Sequence, residues 1–466
     1  MKIEAKIFIV IALFLPLHQA FGFDKPNNPQ EGWKAGVSRV AITPKESMWM
    51  AGYGSRDHAS EGTLHELWAK ALFLEDSNGK RAVLVTTDLV GIPEPFSNRI
   101  RERLKEKFHL SKDQIILSSS HTHTGPVLAN ALQDIYPLDD AQLNKVKNYT
   151  VTLEIQMIKL VGDAIRSLRP VKIYAGNGTT RFQVNRRNNN ESLLNNLTIL
   201  NGPNDYSVPV IKVENEDGRM LAVVFGYACH ATVLSSYKWS GDYPGFAQIE
   251  LEKLYPGTIS MFFQGAGADL NPLPRGTVQF ARQYGRELAA AVDNVLNDTM
   301  RRLSSTLSTE YSEVQLSFVA LPSGDELRKM AETSGNYKQR WATRLLKQLN
   351  EGIPLMTSYP YPVQVWKLGG QMIVGLGGEV VVEYSIKLKQ LFNKDLFVLG
   401  YVNDVMAYIP SISIIKEGGY EGATSQFAYG LPGIWKSDTE LLILMEVVTL
   451  AKRLGLEVDK TKLVGK

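Results

Sequence analysis

Between Arg81 and Ser120 the chain contains two apolar runs, AVLVTTDLV and QIILSSS, separated by the amphipathic stretch FSNRIRERLKEKF. Runs of strand length on either side of a helix-period pattern predict a β-α-β unit, the crossover that parallel strands require. A parallel pair is buried on both faces, so the unit commits the chain to an α/β fold with sheets flanked by helices. It ends in HTHTGP, residues 121 to 126. If the second strand continues, His121 and His123 project from one face. TGP then turns the chain, which places both imidazoles at the carboxyl end of a strand, where open α/β sheets commonly bind ligands. Neutral imidazole is a frequent zinc ligand, so HTH is a candidate metal or catalytic element, with an accidental surface pair as the alternative.

The remaining chain repeats this alternation. A helical stretch from about Asp139 to Leu168 is stopped by Pro170 and followed by the strand KIYAGN. PVIKVE and MLAVVFGYA flank the turn NEDGR, a hairpin signal. FAQIELEKLY reads as a helix, ISMFFQG as a buried strand, and residues 278–296 as another helix. VQVWKLGG and QMIVGLGG read as paired strands around Gly369 and Gly370, before a helix to about Phe392, the strand LFVLGYV and a last helix from Ser437 to Leu454. Residues 300–358 fit least well. There a strand-like YSEVQLSFVAL precedes a charged helical stretch from Gly324 to Asn350, a candidate lid or small subdomain. No fixed-period repeat or Pro/Ser-rich linker marks a boundary, so one large α/β domain is expected over residues 23–466.

Composition removes other classes. At 44% hydrophobic and 21% charged, the 466 residues suffice for a large core. The net charge of +3 is spread among acidic neighbours, with no basic stripe for nucleic acid. Lys2 and Lys6 precede the apolar run Ile7 to Leu17, and small residues follow at Ala20 and Gly22, the pattern of a signal peptide over residues 1–22. That run is too short to span a bilayer and no later one is longer, so the mature chain is expected to be secreted or periplasmic, with peripheral membrane contact at most. Cys229 is the only cysteine, which rules out an internal disulfide and fits bacterial export.

Further candidates lie at strand ends. His230 follows the apolar MLAVVFGYAC, where a buried strand emerges, and a satisfied core histidine is the alternative. In SGDYPG, a tight loop before a helix, Asp242 can steer a histidine or cap that helix. Glu379 follows MIVGLGG and suits either a metal or helix N-terminal capping. Tyr408 and Tyr420, in the loop after LFVLGYV, taken singly read as packing residues.

Taken together, AGVSRVAITP (35–44), AGYGSR, AVLVTTDLVG, SSSHTHTGP, VNRR (184–187), YACHATVL, SGDYPG, FFQGAGADLNP, GLGGEVVVE, GYVNDVMAYI and GGYEGATSQFAYG resemble the neutral ceramidase family. Its members are zinc amidases that cleave ceramide into sphingosine and a fatty acid. The motifs occur in the family's order over roughly residues 35–430. The resemblance implies Zn²⁺ held by His121, His230, Glu379 and Tyr408, with His123 and Arg186 at the scissile amide. Such an ion lowers the pKa of water and polarises the carbonyl, His123 would protonate the leaving amine, and Arg186 would stabilise the oxyanion. The substrate implied is ceramide or a related N-acyl lipid. Two departures stand out. Asn271 replaces the family's serine in ADLNP; it can donate a hydrogen bond but cannot serve as that nucleophile. The chain also ends at Lys466, so the fold expected is the ceramidase catalytic domain without the family's C-terminal β-sandwich. A zinc hydrolase of another amide or ester, and a catalytically silent metal- or ligand-binding scaffold, are the competing readings.

Overall fold

The computed structural model describes residues 32–458 apart from 197, 198, 393 and 394; the expected signal peptide, 1–22, lies outside the described residues. Two sheets pack face to face. The larger runs in the order Ile259–Gln264, Met220–Tyr227, Ser207–Asn215, Arg169–Thr179, Trp33–Ala41, Trp68–Glu75, Arg81–Thr87 and Ile115–Ser119, with Arg301–Arg302 added beside Arg169–Thr179. Arg81–Thr87 and Ile115–Ser119 are parallel and are joined by the helix Glu94–Phe108, as the β-α-β pattern requires. Ile259–Gln264 and Met220–Tyr227 form a second parallel pair, and the interior pairs are antiparallel. The smaller sheet contains Leu307–Ser317, Ser358–Leu368, Gln371–Leu376 and Phe397–Leu399.

The period-2 alternation of each strand sorts its residues between two cores. Leu72, Leu74, Leu84, Val224 and Met261 from the larger sheet meet Trp366, Leu368, Ile373 and Phe397 from the smaller. The opposite faces bury Ala71, Phe73, Val83 and Val85 beneath the helices Glu94–Phe108 and Asp140–Arg166, and Val223 and Phe225 beneath Asp242–Leu254 and Val278–Leu296. Val363, Val374 and Leu376 are covered by Val382–Leu391 and Thr439–Arg453. The result is a mixed α/β arrangement of helix, sheet, sheet and helix layers. Caps define the helix starts: Asp139 accepts from the Gln142 N–H and Thr277 from the Phe280 N–H, contacts worth about 1 kcal/mol each.

Three sequence expectations change. Residues 300–358 do not form a lid or a separate subdomain, because Leu307–Ser317 pairs along its whole length with Ser358–Leu368. Only the helical hairpin Gly324–Thr333 and Asn336–Asn350 stands apart, around Leu327, Trp341 and Leu345. It is anchored by Arg344 to Asp134 and by Trp341 to the Leu431 carbonyl. DYPG of the expected loop is already the first turn of the helix Asp242–Leu254. The strand before HTH stops at Ser119, so the two histidines do not share a strand face.

Candidate metal centre

His121 is brought inward by a backbone kink, φ +58°, a conformation costly for a residue with a Cβ. Its Nδ1–H donates to the Val90 carbonyl at 2.5 Å. A carbonyl only accepts, so this bond fixes the tautomer and leaves the Nε2 lone pair bare. His230 is fixed in the same way. Its Nδ1–H donates to the Gly267 carbonyl at 2.9 Å, and its backbone N–H donates to Leu270. Burial lowers its pKa to about 4, which keeps the ring neutral.

Both bare nitrogens face Glu379 Oε2, from His121 at 3.2 Å and from His230 at 3.1 Å. Burial pushes the Glu379 carboxyl up, and what pulls it well below the ordinary range is positive charge and proton donation at the two imidazole positions, a pull that two unprotonated rings do not supply and a cation between them would. Oε1 accepts from the Tyr429 hydroxyl, whereas Oε2 has no hydrogen-bond donor. Glu379 does not cap a helix; it lies on the two-residue strand Glu379–Val380, paired in parallel with Tyr408–Ile409. That pairing brings the Tyr408 hydroxyl to 3.3 Å from His230 Nε2. Burial pushes its phenol well above the ordinary range, against the pull of Arg186.

Two imidazole lone pairs aimed at one carboxylate oxygen with no proton between them repel it unless a cation joins them. The spacing fits one: ligands on a tetrahedral ion with bonds of roughly 2.0–2.1 Å stand about 3.3–3.4 Å apart. The separations of 3.1, 3.2 and 3.3 Å among His121, His230, Glu379 and Tyr408 are close to that edge length. These four can therefore hold a divalent metal.

His123 lies to one side, with Nε2 at 3.1 Å from His121 Nε2. Its ring centroid is 5.8 Å from that of His230, against 4.9 Å for His121. The three histidines also form a potential metal group, with donor atoms within 4.8 Å of one another. Because His121 Nε2 is bare, the proton between the two rings belongs to His123 Nε2, and His123 Nδ1 is buried without a partner. Burial, reinforced by the other two histidines, holds His123 well below its ordinary pKa. Gly52 makes room for it: at φ +99°, an added Cβ would come within 2.5 Å of the ring.

Arg186 donates to Glu421 at 2.8 Å, to the Tyr408 hydroxyl at 3.1 Å and to Asn271 Oδ1 at 3.4 Å. Burial opposes its charge, but Tyr408 and Glu421 more than offset that. Asn271 sits on Leu270–Pro272, which pairs with Gln183–Asn185 just before Arg186. Asp269 ties these strands to Glu379: its carbonyl accepts from the Arg186 N–H and its carboxylate accepts from the Val382 N–H and Asn185. Asp242 touches none of the histidines. It accepts from the backbone of Val233 and Leu234, in the loop after His230, and from the Tyr243 N–H at the helix start.

All seven site candidates thus converge on one buried region. Sequence reasoning missed Tyr429 and Glu421, although both lie in GGYEGATSQFAYG. It also missed Tyr401, whose ring lies 4.4 Å from that of His121 and whose hydroxyl has no partner. The Val90 and Gly267 carbonyls carry no side-chain signal at all.

Known proteins offer a comparison. A crystal structure of neutral ceramidase from Pseudomonas aeruginosa superposes with a TM-score of 0.71 at 18% identity, over 92% of this chain and 76% of that one. In sequence, the chain is 26% identical to neutral ceramidase B of Dictyostelium discoideum over 246 residues, and 24% identical to the Pseudomonas aeruginosa enzyme over 251. Those segments are 49% and 52% of this chain but 33% and 37% of the relatives, so the match spans about a third of their length. Residues 33–272, just over half the chain, match the family described as neutral/alkaline non-lysosomal ceramidase, N-terminal. With the fold shared and more than half of its sequence matched, the chain belongs to the neutral/alkaline non-lysosomal ceramidase family.

Proposed function

We propose that this protein is an exported zinc-dependent amidase that hydrolyses N-acyl amide bonds, with ceramide or a related N-acyl lipid as the substrate class supported by its family. The observation that carries the reading is the convergence of two tautomer-fixed imidazoles on the undonated Glu379 Oε2. Two neutral nitrogens, a carboxylate and a phenol form a donor set suited to Zn²⁺. When bound, zinc supplies Lewis acidity that acidifies water and polarises an amide carbonyl.

The chain's own residues supply the remaining chemistry. Arg186, held by Glu421, presents a fixed positive charge where an oxyanion would develop. His123 is neutral at rest because it is buried, and its Nε2–H faces the cluster, where it can donate to the leaving amine. Asn271 stands where the family has a serine, and no serine or cysteine hydroxyl or thiol contacts Arg186 among the described residues, so water is the nucleophile in this reading. Export rests on the N-terminal pattern and predicts a mature N-terminus at Phe23, which mass spectrometry of the exported protein would show. Among the described residues no helix is long and apolar enough to cross a membrane.

Fatty-acid release from a short-chain ceramide by the zinc-loaded protein, abolished in His230→Ala, is the expected result. Activity confined to another amide would favour the second reading, a zinc hydrolase of a different substrate. No hydrolysis of any amide would leave the scaffold reading.

A further inference from the structure

Between the helical hairpin Gly324–Thr333 and Asn336–Asn350 and the segment 423–434 lies a cavity of about 430 Å³, the size of a small-ligand site. It is separate from the metal centre, since none of the seven site candidates lines it. Leu321, Met330, Trp341, Phe427 and Leu431 make its wall largely apolar. Val319 and Ile434, 56% and 37% exposed, place its mouth at the surface. An alkyl chain moved from water into such a wall gains about fourfold in affinity per methylene.

The polar groups in the wall point to a headgroup. Gln426 is 3% exposed, and its Oε1 is buried with no hydrogen-bond partner. Rotation about the last bond of this side chain exchanges its oxygen and its NH2, so a carboxyl group can satisfy the amide in either protonation state. Lys329 also lines the cavity and forms no ion pair among the described residues. Lys338, 5.2 Å from the centre of the Phe427 ring, adds a second cation. Glu326, the acidic residue of the wall, is already committed to the Ser323 N–H at 2.7 Å and the Ser323 hydroxyl at 2.9 Å. An apolar wall with an unpartnered buried amide and an excess of positive charge fits a single-chain carboxylate.

The same stretch of chain reaches the metal centre. Ala423, Gln426 and Phe427 line the cavity, whereas Glu421 holds Arg186 at 2.8 Å and Tyr429 donates to Glu379 Oε1. A ligand packed against Phe427 therefore bears on the helix Ser425–Tyr429, whose last residue orients the Glu379 carboxylate.

We propose that this cavity binds a medium-chain fatty acid and that its occupancy is coupled to metal binding at the cluster. The binding site stands apart from the amidase reading, and the coupling rests on the zinc centre of that reading. A fatty acid is also a product of the proposed hydrolysis, so the site lets product act on the metal centre from outside it.

Calorimetric titration of sodium decanoate into metal-free protein tests the site. Expected is one decanoate bound about fifteenfold more tightly than octanoate. Binding should weaken about threefold or more in Lys329→Gln. It should be lost in Ala320→Trp, which adds bulk to the wall at an exposed position. Undiminished affinity in folded Ala320→Trp would put decanoate elsewhere and overturn the site. Decanol or decylamine binding as tightly would overturn the carboxylate assignment. Self-association that Ala320→Trp abolishes, without decanoate binding, would make this face a contact between copies and overturn the proposal. Repetition with zinc-loaded protein tests the coupling: decanoate affinity should change about fivefold or more, and zinc affinity by the same factor when decanoate is present. Zinc binding that leaves decanoate affinity unchanged overturns the coupling. Decanoate binding by a protein that takes up no zinc overturns the zinc centre, and the coupling with it, and supports the fatty-acid site.

Discussion

Gly52→Ala separates the proposed role of His123 from those of the candidate metal ligands. The added Cβ would lie 2.5 Å from His123 Cγ and 2.6 Å from Nδ1, whereas carbon atoms in contact stand about 3.5–4.0 Å apart. The imidazole must therefore retreat by about 1 Å. A displacement of that size at a reacting group costs about 10²-fold in rate, or about 2.7 kcal/mol of barrier. The φ of +99° adds roughly 1–2 kcal/mol of backbone strain to the folded state. For 466 residues at about 2.1 cal/mol/K each, the unfolding entropy is about 1 kcal/mol/K, so Tm should fall by only about 1–2 °C. The assay measures kcat and KM on an N-octanoyl amide, with zinc content and a thermal melt on the same preparation. The expected variant is folded and zinc-loaded, with kcat down about 10²-fold and KM little changed. Unchanged kcat would refute the assignment of His123 to the reacting proton, and loss of zinc in step with activity would make His123 a ligand.

Other perturbations probe different links. Tyr429→Phe removes the only hydroxyl on Glu379 Oε1 and should weaken zinc affinity by about 10–100-fold, read by competition with a chelator. Arg186→Lys keeps the charge but not the fork that reaches Glu421, Tyr408 and Asn271, and should lower kcat by about 10²–10³-fold with zinc retained. Asp404 is buried beside Glu94, and its pKa is pushed up to about 7 from an ordinary 3.8, so the folded state holds a proton that the unfolded chain has released. Stability should therefore fall as pH rises from about 4 to about 7, by on the order of 4 kcal/mol relative to Asp404→Asn in urea titrations. A parallel pH dependence in the two proteins would contradict this.

Much of the fold is legible in the sequence because its elements are strongly periodic. The β-α-β unit, the hairpin around NEDGR and the helix Val278–Leu296 each satisfy their own pattern locally. The stretch 300–358 misleads because Leu307–Ser317 faces partners fifty residues further on, and nothing within the strand names them. The site divides in the same way. His121, His230 and Glu379 stand out as strand-end candidates, but only the resemblance puts them on one metal with Tyr408, and strand alternation places His121 and His123 wrongly. Their meeting depends on left-handed backbone at His121 and Tyr401, and on the loop after Phe397–Leu399. In that loop Gly400 bonds to Gln264, Tyr401 to Gly378 and Asn403 to Leu117, so it joins the ends of strands far apart in sequence. Such closure is a tertiary property with no local periodicity.

In the proposed reading His121, His230, Glu379 and Tyr408 form one zinc centre. Elemental analysis of purified protein tests it most directly. About one zinc per wild-type chain and only a trace in folded His121→Ala is the predicted result. Equal zinc in the two, or none beyond a trace in zinc-supplemented wild type, would contradict it.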